Sequence, residues 1–134
     1  MGRKKEAAEM NSAELEAHLA HFNGSATVIR HSLVRSVLMT EGVVFLAHAA
    51  QAHWLMDAIA SFVHDPRASA EQFQAWHLSV DAATRRATLA MTDGNSDQPI
   101  ITQELDYTDF PLDEIAIWLI AEGARWIMML PSEY

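Results

Sequence analysis

From Phe73 onward the chain changes its hydrophobic period, and that change restricts the possible folds more than any other feature. Trp76, Leu78 and Val80 alternate with His77, Ser79 and Asp81. After an A-A-T-R turn, Ala87, Leu89 and Met91 alternate with Thr88, Ala90 and Thr92. A two-residue period places one set of side chains on a buried sheet face and the other on the opposite face. Asp93-Gly94-Asn95 is a strong turn signal, and Ile100–Leu105 reads as the next strand. In the connection T-D-F-P-L-D, Pro111 fixes one backbone angle. Glu114–Ala121 fits strand or helix. Its isoleucines, and the Glu122-Gly123 turn into Trp126–Leu130, favour a strand hairpin.

The first half follows a helical period instead. Residues 1–10 read as a flexible tail, and residues 11–134 as one domain. Asn11 or Ser12 is placed to cap a short helix that stops at Asn23-Gly24. Two short strands, Thr27–His31 and Ser36–Met39, are expected next, from their β-branched content. Thr40 then caps the most apolar stretch, Thr40–Val63, with a break expected near Ala50–Ala52 and an end at Asp65-Pro66. The predicted architecture is α+β: an antiparallel sheet of five to seven strands with two to three helices packed on one face.

A chain of 134 residues that is half hydrophobic has enough apolar surface for a packed core. It has no cysteine, which excludes disulfides, zinc-thiolate sites, iron–sulfur clusters and thiol nucleophiles. No apolar run reaches the ~18 residues of a membrane span, and no signal peptide opens the sequence, so a cytoplasmic protein without a membrane partner is expected. Residues 1–72 carry six basic and eight acidic side chains, and residues 73–134 carry three and ten. With a net charge of −9, the chain lacks the lysine and arginine footprint of direct nucleic-acid binding. The same field favours a protein partner with a basic surface. Asp93, Asp97, Glu104, Asp106, Asp109, Asp113 and Glu114 form the candidate acidic surface.

The most tempting constellation lies on the central helix, where His53, Asp57, Ser61 and His64 fall within an arc of about 80° at the helical period. Asp57 and His64 are seven residues apart, about 10.5 Å along the axis, too far for a base and its orienting carboxylate. No Gly-x-Ser-x-Gly elbow presents the serine. The stripe reads instead as a polar seam in which Asp57 pairs with Arg30 or His31 of the preceding strand. His48 and His53 are five apart and do not share a helix face as a metal pair would. Asp93, Asn95, Asp97 and Glu104 match four positions of a calcium loop, but Gln98 stands where glycine is needed, and an ordinary acidic hairpin is the expectation. No phosphate-binding glycine loop is present, no metal or cofactor is implied, and Trp76, Trp118 and Trp126 read as core residues.

Several stretches together carry a resemblance. They are H-F-N-G-S, I-R-H-S-L, T-E-G-V-V-F-L-A, W-L-M-D-A-I-A-S, F-Q-A-W-H-L, D-G-N, T-D-F-P-L and the final L-P-S-E-Y. In this order the chain resembles, over about residues 20–134, a family of small uncharacterised bacterial proteins carried by phages, plasmids and integrated elements. Many relatives read T-D-G-V where this chain has T-E-G-V, which keeps an acidic residue near the helix start. The resemblance supplies a setting and no activity. It implies a non-enzymatic binding protein of a mobile element, an acidic anti-defence or anti-CRISPR-type inhibitor of a host nucleic-acid-handling protein. Two other readings compete: a small hydrolase or nucleotide-modifying enzyme built around Arg30, His31, Asp57 and Glu104, and a homodimeric accessory joined through exposed apolar strand faces.

Overall fold

The computed structural model describes residues 11–22 and 28–134. The expected tail, the Asn23-Gly24 helix stop and the strand start at Thr27 lie outside the described residues.

The chain begins with α1 (Ser12–Leu19), capped by Asn11, whose side chain accepts from the Glu14 backbone N–H at 2.8 Å while the Glu14 carboxylate accepts from the Asn11 N–H. This reciprocal box satisfies amide donors that the first helical turn leaves unpaired. A short hairpin follows, β1 (Val28–Arg30) and β2 (Val37–Thr40). Thr40 ends β2 and caps α2 (Glu41–Ala49). The apolar stretch breaks where expected: Gln51 takes φ 51°, a left-handed angle that no helix continues through. Then α3 (His53–Ser61) starts without a side-chain cap and tightens into a 3-10 turn over Phe62–His64. Asp65-Pro66 does more than end it. Asp65 caps a further single turn, α4 (Pro66–Ser69), with Pro66 in the first turn, where its missing N–H costs nothing.

The second half is strand throughout: β3 (Phe73–Val80), β4 (Ala87–Thr92), β5 (Ile101–Leu105), β6 (Glu114–Glu122) and β7 (Arg125–Met129). The ambiguous E-I-A-I-W-L-I-A stretch is strand, paired on both sides, to β3 and to β7. All seven strands form one sheet in the order β1-β2-β7-β6-β3-β4-β5. Every pairing is antiparallel except β2 with β7, which run parallel, Val37 opposite Trp126. The first hairpin of the chain therefore extends the sheet from its last strand.

The helices cover one face of this sheet. Gln74, Trp76, Leu78 and Val80 of β3, Ala87, Leu89 and Met91 of β4, and Ile117 and Leu119 of β6 are buried there, packed with Leu46, Leu55, Met56 and Ile59 of the helices. Each fully buried Leu, Ile or Met contributes about 1.5–3 kcal/mol of transfer free energy. The one buried amide in this layer is fully employed. Gln74 donates to the carbonyls of Ala68 and Glu71 and accepts from the Trp76 indole at 2.9 Å, which anchors α4 to β3. Trp118 departs from the core expectation: its register partner Ala75 lies on the opposite parity from Trp76, so its ring stands half-buried on the face that no helix of the described residues covers. No helix among the described residues is long and apolar enough to cross a membrane.

Candidate functional site

On α3 the apolar arc, Leu55, Met56, Ile59 and Ala60, turns inward and leaves His53, Asp57 and Ser61 exposed. The stripe does not assemble. Ser61 Oγ donates to the Ala58 carbonyl at 2.7 Å, within its own helix. His53 meets the edge of the His48 ring, at a centroid distance of 6.4 Å, and His64 stands exposed at the end of the 3-10 turn.

Asp57 hydrogen-bonds outside the helix: His31, just after β1, places Nε2 2.7 Å from Asp57 Oδ1. His31 Nδ1 accepts from the backbone N–H groups of Leu33 and Val34 at 3.1 and 2.9 Å. Two donors aimed at Nδ1 place the neutral ring's proton on Nε2, so the imidazole donates to Asp57. The histidine is 2 % exposed while the aspartate side chain is 49 % exposed. His31 thus folds the loop after β1 onto α3, and neither nitrogen has a lone pair left for a substrate. Arg30 takes no part, since its guanidinium donates to the Arg35 carbonyl at 2.8 Å. Of the residues expected to form a hydrolytic site, His31 and Asp57 meet here, and Arg30 does not join them.

The acidic residues divide between the two ends of the sheet. Asp93 and Asp97 lie in the β4–β5 hairpin, next to the Met91–Ile101 pair. Asp106, Asp109 and Asp113 lie in the β5–β6 connection at the other end, exposed, with Tyr107 70 % exposed among them. Arg85 braces that connection by donating to the carbonyls of Thr108 and Phe110, so a cation near the rim is spent on backbone. Among the described residues none of Asp106, Asp109 and Asp113 joins an ion pair, whereas Glu114 holds His77 at 2.8 Å. Glu104 sits across from Thr88 and accepts from its hydroxyl at 3.0 Å. That position is five residues down β4 from Asp93, roughly 17 Å of strand, so the calcium-loop spacing does not close on an ion. Among the described residues no group of three His, Asp or Glu is placed to hold a metal.

Two features escaped the sequence reading. The first is a clasp: the buried Glu133 carboxylate, in the final 3-10 turn Pro131–Glu133, accepts from Thr40 Oγ1 at 2.6 Å, from the Gly42 N–H at 3.0 Å and from the Leu130 N–H at 2.9 Å. A carboxylate over the first turn of α2 suits the positive end of that helix. A Cβ on Gly42 would stand 2.6 Å from Glu133 Oε1 and 2.7 Å from Leu130 Cδ1, so only glycine allows the approach. The second is a row of aromatic rings on the open face. Trp118 meets Phe73 edge-on at 5.0 Å and Tyr134 at 5.5 Å. Its signal was Phe73 itself, which falls on the polar parity of an otherwise regular alternation.

Fold and surface together define an α+β protein with one helix-covered sheet face, an opposite face that is apolar at its centre, and acidic loops at both ends. Residues 13–134 match the family of unknown function DUF6876, and the chain belongs to that family. Among solved structures, the fold is shared with a protein of unknown function from Enterococcus faecalis, at a TM-score of 0.54 and 18 % identity over 81 % of this chain and 98 % of that one. No curated protein matches the chain.

Proposed function

We propose that this chain is a non-enzymatic binding protein that docks on a basic surface of a host nucleic-acid-handling protein. In this reading it serves a phage, plasmid or integrated element as an anti-defence, anti-CRISPR-type inhibitor that competes with nucleic acid for that surface. The observation that supports it is the rim of Asp106, Asp109 and Asp113, exposed and, among the described residues, outside any ion pair, around the exposed ring of Tyr107. Carboxylates left without partners set up a negative field that speeds encounter with a positive patch and selects against other partners. Tyrosine is among the side chains that anchor interfaces when a partner desolvates them.

The test is affinity capture from a host carrying its defence systems, followed by reconstitution with the purified partner. A basic nucleic-acid-handling protein should be retained, released by salt, and displaced by duplex DNA or RNA. The triple change Asp106→Lys, Asp109→Lys, Asp113→Lys should weaken its binding by about tenfold or more while the fold persists. Binding that ignores both the charge reversal and competing nucleic acid would overturn the reading.

A further inference from the structure

On the open face a cavity of about 380 Å³ is lined by Phe73, Ala75, Asp93, Gly94, Asn95 and Trp118. Two of its walls are aromatic, with Phe73 and Trp118 inclined at 63° to each other. The third is the tip of the β4–β5 hairpin. Asp93 Oδ1 accepts from the N–H groups of Asn95 and Ser96 at 2.9 and 3.0 Å, which fixes the carboxylate in place, and among the described residues no hydrogen bond engages Oδ2. Gly94 brings the hairpin against the Phe73 ring. Its φ is +86°, and a Cβ there would lie 2.7 Å from Phe73 Cε1, so the corner closes around a glycine by necessity.

We propose that this corner receives an arginine side chain of the basic partner. The proposal rests on the function assigned above and names the group that the partner inserts. The walls select for charge: aromatic faces attract a cation, and a carboxylate oxygen with vacant lone pairs needs a donor once water is displaced. An anion would meet Asp93, nearby Asp97 and a chain of net charge −9. A neutral apolar group would leave the Asp93 carboxylate desolvated without a donor. Guanidinium suits the corner better than ammonium, because it is planar, weakly hydrated, and able to stack on a ring while donating at its edge. The corner and the rim lie at opposite ends of the same sheet, roughly 24 Å apart along the strands. A standard interface of about 800 Å² per partner spans that distance.

The experiment uses the full chain at low salt, titrated with the tripeptide acetyl-Gly-Arg-Gly-amide and with its citrulline counterpart, a neutral isostere. The readout is the Trp118 indole N–H resonance, assigned by its disappearance in Trp118→Phe. The arginine peptide should shift it saturably, and the citrulline peptide should bind about tenfold more weakly or not at all. Asp93→Asn retains the side-chain oxygen that holds the turn, so melting should be unchanged while arginine-peptide affinity falls about fivefold or more. Equal shifts with both peptides, an unmoved Trp118 resonance, or unaltered affinity in Asp93→Asn would each overturn the proposal. So would a Trp118 shift that follows protein concentration without peptide, because a second copy would then fill the corner. Peptide binding needs no host protein, which separates the two readings. Partner capture without peptide binding sinks only the arginine corner, and peptide binding without partner capture sinks only the proposed function.

Discussion

The two faces of the sheet are made by the same strands and have been put to different uses. On β6, Ile117 and Leu119 are 1 % and 0 % exposed beneath the helices, while Trp118 and Ile120, which alternate with them, are half-buried on the other face. On β7, Met128 is sealed, and its neighbours Ile127 and Met129 are half-buried. An antiparallel sheet with one solvated face is expected to alternate apolar and polar residues cleanly. Here the centre of the open face stays apolar, and its charges lie toward the ends of the strands. The covered face holds the main core, and the open face keeps apolar area that is only partly buried.

The sharpest way to test that division is to truncate adjacent residues of one strand. Leu119→Ala should cost about 2–5 kcal/mol in urea denaturation, through lost transfer energy and the cavity left behind. Ile120→Ala should cost about 1 kcal/mol or less; a cost that rises with protein concentration would show that a second copy covers the open face. Next in size, His31→Ala should cost about 2–3 kcal/mol, because the Leu33 and Val34 N–H groups lose their buried acceptor. Asp57→Asn should cost below about 1 kcal/mol, since an amide oxygen still accepts from His31 Nε2. If that variant folds normally yet loses partner binding, the working surface belongs to the helix side and the comparison is reversed. The smallest effect concerns Asp65, whose carboxyl is held below its usual 3.8, first by the Arg67 side-chain hydrogen bond and then by the Arg67 backbone N–H. A depressed carboxyl adds stability above the unfolded value, and that addition fades as pH falls through the folded value. In Arg67→Ala, the Asp65 carboxyl should titrate closer to 3.8 by NMR.

Local periodicity carried most of the fold. The alternation from Trp76 to Met91 marked the hairpin and its buried side, and A-H-A-A-Q-A-H marked the break between α2 and α3. What periodicity cannot carry is pairing between distant segments. Nothing local to V-L-M-T specifies a parallel partner in R-W-I-M-M, and nothing local to Gly42 announces the carboxylate that needs it to be glycine. The His31–Asp57 contact was legible only as a choice of two partners, because adjacent residues at the end of a short strand point in different directions. Trp118 was misjudged for a related reason: apolar neighbours on both sides suggest burial, but its parity put it opposite Ala75, on the uncovered side. The acidic residues were legible as a group, while their division between the two ends of the sheet depended on strand register.

The parallel seam between β2 and β7 also has a consequence for how the chain is made. The Thr40–Glu133 contact across the same junction joins residues 93 positions apart. Contacts this distant must close a large loop before they return any energy, and folds rich in them form slowly. During synthesis, α2 and α3 emerge with their apolar sides ready and no sheet to receive them, a state prone to aggregation. The strand on which the β1–β2 hairpin pairs, β7, follows β3 to β6 in the chain. An early hairpin therefore waits for a late strand.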